Sequence, residues 1–142
     1  MKSDVVLNRV ATIERCLARI RSEYRDDPGR LEDYTIQDAV ILNLVRACEA
    51  SIDLAMHVVS KRRLGLPQES KEGFSLMVRA GILERDVGER LQRMVGFRNV
   101  AVHEYQEIDQ EILAGILREH LGDFEAFCRS VLALAEQSDS NP

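Results

Sequence analysis

The chain has 142 residues and a net charge of −5 at pH 7, with 45% hydrophobic and 30% charged residues. This length and composition indicate one soluble globular domain with a single core. The acidic balance argues against a general nucleic-acid-binding protein, although residues 61–98, with 9 basic and 5 acidic side chains, carry a net charge of +4 that can contact a phosphate backbone. No apolar run approaches the roughly 20 residues that a membrane-spanning helix needs.

The first predicted helix follows Ser3 or Asp4, either of which is a suitable N-cap. It ends where Pro28 and Gly29 disfavour helix continuation. Between these limits the apolar residues recur at spacings of three and four, which is typical of one buried helix face, at Val6, Val10, Ile13, Leu17, Ile20 and Tyr24.

The second predicted helix begins near Thr35, and Asp38 follows three residues later as in a capping box. Two adjacent apolar stripes run along this helix, so we expect it to be buried against more than one neighbour. It ends in the basic residues 61–63, before a loop at residues 65–67.

Three further helices are predicted: a short one over residues 71–81, a long one from Asp86 into the segment around residue 103, and a last one that runs unbroken from Asp109 to Ala135. Four long helices and one short helix predict an all-α antiparallel bundle. We expect a single domain of residues 1–136, followed by a flexible polar tail of residues 137–142.

The sequence contains no motif typical of a metal or nucleotide site. The residues three positions before His57, His103 and His120 are apolar, so no Glu-x-x-His pair exists, and there is no phosphate-binding glycine loop and no Cys-x-x-Cys pair. We therefore expect no metal and no cofactor, and we interpret His57 and His120 as surface or packing residues. The three widely spaced cysteines lie in apolar stripes, which favours reduced, buried thiols in a cytoplasmic protein without a signal peptide.

Four polar residues lie close together near the end of the fourth predicted helix: Arg98, Asn99, His103 and Tyr105. On an ideal helix Asn99 and His103 share one face, at a spacing of four residues. Arg98 and Tyr105 share another face, at a spacing of seven. Arg98 and His103 point about 140° apart. They converge only if the helix bends or ends between them, or if a second copy of the chain contributes its own pair, and we favour the second copy.

These residue types suit RNA cleavage without a metal ion. Histidine titrates near neutral pH, so it can act as general base toward a ribose 2′-hydroxyl or as acid toward the leaving oxygen. Arginine stays charged and binds a phosphate through two hydrogen bonds, and Asn99 can orient either partner. The spacing alone is a weak signal, because a capping arginine and a surface histidine would show the same pattern.

Residues 98–105 resemble the motif of the HEPN family, which has an arginine, a polar residue, a few intervening residues and a histidine. The tyrosine two positions after the histidine is similar to the HepT-type subfamily. Residues 47–55, 65–67, 81–83 and 94–97 also resemble the pattern of that subfamily, so the resemblance extends over most of the chain.

The resemblance implies a helical-bundle, metal-independent endoribonuclease that is the toxin of a toxin–antitoxin pair. Members work as homodimers with a composite cleft, here formed by Arg98 and His103 of both copies. The resemblance does not specify whether oligomers larger than a dimer form. The implied partner is a minimal nucleotidyltransferase antitoxin, which transfers AMP to the motif tyrosine, here Tyr105. A bulky anionic group on Tyr105 would exclude an RNA phosphate from the cleft by size and by charge repulsion.

Two acidic residues of the second helix, Asp53 and Glu49, are candidate auxiliary residues that orient Arg98 or bind the antitoxin. A solvated stripe, or a structural pair with Arg46, is the simpler interpretation of both. Residues 61–63 can steer RNA, with a solvated loop as the simpler alternative.

The expected reaction is attack of the 2′-hydroxyl on the adjacent phosphodiester, which leaves a cyclic phosphate. Two other functions remain open at this point. The bundle can be a non-catalytic binding or substrate-recognition partner of a nucleotidyltransferase, with Tyr105 as acceptor, or a purely structural bundle. Loss of toxicity in folded Arg98→Ala and His103→Ala variants would contradict both.

Overall fold

Helices form all of the regular structure in residues 3–140, which are the residues that the computed structural model describes. Two short 3-10 helices, Pro28–Glu32 and Tyr105–Glu107, interrupt the connections between the α-helices. The α-helices are α1 (Asp4–Tyr24), α2 (Tyr34–Arg62), α3 (Glu72–Arg79), α4 (Arg85–His103), α5 (Gln110–Glu119) and α6 (Leu121–Ser140). The prediction of an all-α bundle is confirmed.

The long helix α2 is the centre of the bundle, since it contacts α1, α3, α4 and α6. Its two apolar stripes are buried, as predicted, because different neighbours cover each of them. Several of their side chains are at most 1% exposed, including Val40, Leu44, Ala47, Leu54 and Ala55.

The predicted capping box at the start of α2 is wrong. The N-cap is Asp33, whose carboxylate accepts a hydrogen bond of 2.9 Å from the backbone N–H of Thr35. Because Asp33 already satisfies the first turn, Asp38 is not needed to cap the helix. Asp38 instead lies exposed one turn further along, where it contacts a residue that follows α4.

The predicted last helix is two helices, α5 and α6, that meet at His120. This residue has φ −120° and ψ 0°, which is outside the α-helical region. Asp123 stabilises the junction, because its buried carboxylate accepts a hydrogen bond of 2.9 Å from Nε of Arg90 in α4 and lies 3.1 Å from Nδ1 of His120. The apolar stripe continues through the junction, so periodicity alone could not reveal the break.

An aromatic pair joins α3 and α6 in the core. Phe74 and Phe127 pack edge to face with their ring centroids 5.5 Å apart. The three cysteines are all buried and free, as predicted. Helices α3 and α4 approach closely at Gly88, where an added Cβ would lie 2.5 Å from Cγ2 of Val78.

At the C-terminus α6 extends to Ser140, beyond the predicted domain boundary at residue 136. Residues 141–142 of the predicted tail lie outside the described residues, and the flexibility of residues 137–142 stays a prediction. Within residues 3–140, no helix combines the length and the apolar character needed to cross a membrane.

Candidate active site

Helix α4 is continuous from Arg98 to His103, where it ends. The next residue, Glu104, leaves the helix with φ −139° and ψ 52°, while its N–H still donates to the carbonyl of Val100 at 2.8 Å. The helix therefore does not end between the two residues, so that expected way to bring the pair together is absent. Five residues of regular helix separate Arg98 from His103 by about 140° around the axis and about 7.5 Å along it.

Arg98 lies on the side of α4 that faces α2. Its Nε atom is buried and has no hydrogen-bond partner within residues 3–140. Its charge acts on Cys48 in α2: burial raises the pKa of the Cys48 thiol to about 12, and the positive charge of Arg98 acts in the opposite direction. Among residues 3–140, Arg98 thus has no acidic partner.

His103 and Asn99 lie on the opposite, solvent-facing side of α4, and both are exposed as the predicted i, i+4 face requires. One turn earlier on this face is Gly96, where an added Cβ would meet nothing within 4 Å. Val102 beside them is 50% exposed although it is apolar. In a single copy of the chain this face has room for another molecule.

Tyr105 lies beyond the end of α4, in the 3-10 helix Tyr105–Glu107. The prediction that it shares a helix face with Arg98 is therefore wrong. Its hydroxyl donates a hydrogen bond to the carboxylate of Asp38 in α2. Burial, and then the hydrogen bond to Asp38 and its charge, raise the pKa of Tyr105 to about 12. The side chain remains 43% exposed, so another molecule can reach it.

The two candidate auxiliary residues differ in their surroundings. Asp53 is exposed and pairs with Arg9 of α1 at 3.5 Å, rather than with Arg46. Glu49 is also exposed, and its charge raises the pKa of the Cys48 thiol, whereas that of Arg98 lowers it. Neither carboxylate forms an ion pair or hydrogen bond with Arg98 in the part of the chain that the structure describes.

An apolar groove with a volume of about 400 Å³ lies between α4 and α5, beside the turn that carries Tyr105. Sequence reasoning did not predict it, since it depends on how α5 packs. Its lining includes Met94, Phe97, Val100, Ile108, Ile112 and Ile116, with Arg93 and Glu107 at polar positions.

The remaining basic and histidine residues lie elsewhere. Residues 61–63 form the C-terminal end of α2, about 20 Å along the helix from Cys48. His57 contacts Ser3 at 3.4 Å, and His120 pairs with Asp123, so both have packing partners as predicted. Among residues 3–140 no group of three or more His, Cys, Asp or Glu side chains is arranged to hold a metal ion.

A family model described as ribonuclease HepT-like matches residues 13–131. The mRNA nuclease HepT of Shewanella oneidensis is 43% identical over 125 residues, which covers 88% of this chain and 94% of that protein. The chain belongs to the HepT-like ribonuclease family. A protein of Archaeoglobus fulgidus named as a putative RNase is 24% identical over 84% of both chains.

Solved structures of the family have the same fold. The tri-AMPylated HEPN toxin of Shewanella oneidensis, in complex with the MNT antitoxin, superposes with a TM-score of 0.88 at 41% identity, covering 93% of this chain and 99% of that one. A toxin–antitoxin structure with AMP-PNP gives the same TM-score and identity, covering 92% of this chain and 99% of that one. These matches confirm the predicted family, helical bundle and ribonuclease toxin.

The site residue that the sequence interpretation missed is Asp38. Its contact with Tyr105 joins residues 67 positions apart in the chain. The available signal was local: Asp33, directly before the first helical residue, is already a good N-cap, which makes a second capping role for Asp38 unnecessary.

Proposed function

We propose that this HepT-like ribonuclease works as a homodimer whose composite cleft contains Arg98 and His103 of both copies, with Asn99 in a supporting role. The observation that supports this most directly is the unbroken helix α4. Because the two side chains diverge by about 140° on it, one copy alone does not bring them to the same phosphate. A two-fold axis beside the exposed face of α4 supplies the missing partner.

The state of each side chain fits this proposal. Arg98 has a buried Nε without a protein partner, and such an atom calls for an explanation such as an absent ligand or subunit. His103, Asn99 and the apolar Val102 are exposed together, which suits a surface that a second copy covers. Glu49 stays a candidate auxiliary residue, whereas the ion pair of Asp53 with Arg9 favours a structural role for Asp53.

In the proposed reaction, His103 of one copy removes the proton from a ribose 2′-hydroxyl. The 2′-oxygen forms a bond to the adjacent phosphorus, and the bond from phosphorus to the 5′-oxygen breaks. That leaving oxygen takes a proton from solvent, so one His103 and one Arg98 from different copies complete the reaction. Arg98 stabilises the negative charge on the phosphate oxygens in the transition state. The products are a 2′,3′-cyclic phosphate and a 5′-hydroxyl, and no step requires a metal ion.

Subunit mixing tests the composite cleft. Arg98→Ala and His103→Ala should each lower RNA cleavage at least about 100-fold. In a mixture refolded or exchanged together, heterodimers join the intact Arg98 of one chain with the intact His103 of the other, so cleavage should rise at least about 10-fold above either variant alone. Arg79→Ala, which removes an exposed arginine of α3, is the matched control and should cleave like the wild type.

A mixture no more active than its components would contradict a cleft shared between chains. Full activity in both single variants would contradict catalysis by these residues. Absence of cleavage by the folded wild type would favour a non-catalytic partner of a nucleotidyltransferase. Cleavage should persist in EDTA and leave cyclic phosphate ends, and products with a 3′-hydroxyl would contradict 2′-hydroxyl attack.

Neutralisation is proposed to occur by transfer of AMP to Tyr105 by a cognate nucleotidyltransferase antitoxin. The exposure of Tyr105 and its position two residues after His103 support this, because an attached nucleotide places negative charge next to the RNA phosphate site. Intact mass after co-expression with the antitoxin should rise by one or more AMP units that map to Tyr105. A Tyr105→Phe variant should gain none.

A further inference from the structure

Asp38 and Tyr105 come from distant parts of the chain and meet at the surface. Asp38 lies in the second turn of α2, and Tyr105 follows the end of α4. The Tyr105 hydroxyl donates its proton in a hydrogen bond to Asp38 Oδ1, which is its partner among the residues that the structure describes. Capping does not explain Asp38, because Asp33 caps the helix. The carboxylate of Asp38 is therefore hydrogen-bonded to the oxygen atom that would receive a nucleotide.

We propose that Asp38 is a catalytic residue of the modification reaction, in which it accepts the proton of the Tyr105 hydroxyl as that oxygen attacks the α-phosphate of a nucleoside triphosphate. This inference rests on the proposed function of Tyr105 as the acceptor. It adds that the toxin supplies the proton acceptor for its own neutralisation, while the antitoxin binds the nucleotide.

The reaction balances with the groups named. A bond forms between Tyr105 Oη and the α-phosphorus, and the bond from that phosphorus to the bridging oxygen of the β-phosphate breaks. Pyrophosphate leaves, and the phenolic proton passes to Asp38. Formation of the P–O bond makes the phenolic proton strongly acidic, so a carboxylate is a sufficient acceptor as the transition state is reached.

The environment of Tyr105 favours a proton acceptor beside its hydroxyl. Its pKa of about 12 means that the hydroxyl is protonated at neutral pH, and a neutral phenol is a weak nucleophile. No other acidic residue of α2 can replace Asp38: Glu49 is about 16 Å and Asp53 about 22 Å further along the helix. The neighbouring Glu104 and Glu107 are exposed and form no hydrogen bond with the hydroxyl.

The test uses the full-length protein, the purified cognate nucleotidyltransferase and ATP, with the rate of mass gain as readout. Asp38→Asn keeps an oxygen that can accept the Tyr105 hydrogen bond but cannot take the proton, so it separates proton transfer from positioning. We expect kcat for modification to fall at least about 100-fold, while the KM for ATP stays near the wild-type value. Asp38→Glu should recover part of the rate. Glu32→Gln, which removes an exposed carboxylate before α2, should behave like the wild type.

Circular-dichroism melting checks that each variant is folded. Modification of folded Asp38→Asn at the wild-type rate would overturn the inference, and so would a change confined to KM, since that would indicate a role in docking. In both cases modified wild-type protein would leave the proposed neutralisation intact. A wild-type protein that gains no nucleotide, with an active enzyme present, would instead contradict the proposed neutralisation and this inference with it.

Discussion

Helix α4 carries two partly buried arginines, Arg90 and Arg98, whose surroundings are opposite. Arg90 donates from Nε to the carboxylate of Asp123 at 2.9 Å, and Asp123 is only 6% exposed and also contacts His120. Arg98, about two turns further along, has a buried Nε with no partner in residues 3–140. The same side chain on one helix is thus satisfied at one position and left open at the other.

The difference indicates what each arginine does. A buried carboxylate needs a cation and hydrogen bonds, so Arg90 and Asp123 fasten α4 to the junction of α5 and α6. A buried donor without a partner lowers stability, and a protein retains it where a ligand or a second subunit completes it. The contrast with Arg90 therefore favours a functional role for Arg98. The Nε atom of Arg9 also lacks a hydrogen bond, but it lies 3.5 Å from Asp53, whereas Arg98 forms no ion pair within residues 3–140.

The largest expected effect is the loss of activity in Arg98→Ala, set against Arg90→Ala as its matched partner. Arg98→Ala should lower RNA cleavage by about 100- to 1000-fold and change the free energy of unfolding by less than about 1 kcal/mol, because no hydrogen bond or ion pair within residues 3–140 is lost. Arg90→Ala should do the reverse: unfolding becomes easier by about 2–3 kcal/mol because Asp123 loses its cation. Chemical denaturation and cleavage assays on both variants give the four values.

The comparison fails if the two variants exchange behaviour. A folded Arg90→Ala protein that has lost cleavage would place Arg90 in the site. An Arg98→Ala protein that unfolds easily would show that Arg98 has a structural role.

How far the sequence alone predicts this molecule depends on whether a feature is local. Helical periodicity predicts the long helices and the 140° divergence of Arg98 and His103, because both follow from residues close together in the chain. The break at His120 was missed, since the stripe that includes Leu117 and Leu121 continues through it. The contacts of Arg90 and of Asp38 are tertiary, and no spacing pattern in one sequence specifies which distant side chain fills them.

Two glycines on α4 give a second, smaller test of its two sides. At Gly88 an added Cβ would lie 2.5 Å from Val78, whereas at Gly96 it would meet nothing within 4 Å. Gly88→Ala should therefore destabilise the protein by about 1–3 kcal/mol. Gly96→Ala should stabilise it by about 0.5–1 kcal/mol, because alanine restricts the unfolded chain and favours helix. Equilibrium urea unfolding at low protein concentration measures both changes.

A destabilised Gly96→Ala protein would contradict an open face at this position. Sedimentation analysis of the same variant would then show whether a second copy packs directly over Gly96. In that case the dimer contact would extend a full turn before Asn99.

The smallest expected effect concerns the ionisation of Tyr105. It occurs well above neutral pH, so it does not change the free energy of unfolding at neutral pH. Its pKa is raised to about 12, so the folded protein holds the phenolic proton more tightly than the unfolded chain. The resulting stabilisation is fully present below the ordinary pKa of about 10 and is lost as the pH rises through about 12.

Asp38→Asn should lower the pKa of Tyr105, but not completely to its ordinary value, because burial is the largest cause of the shift and the variant leaves it in place. A titration of the ring-carbon signals of labelled tyrosine, assigned with Tyr105→Phe, measures this. Tyr24 is the internal control: burial raises its pKa, Asp38 does not act on it, and its titration should be the same in both proteins. An unchanged pKa of Tyr105 in Asp38→Asn would mean that the carboxylate does not act on the hydroxyl, and the contact between α2 and the turn after α4 would then be packing alone.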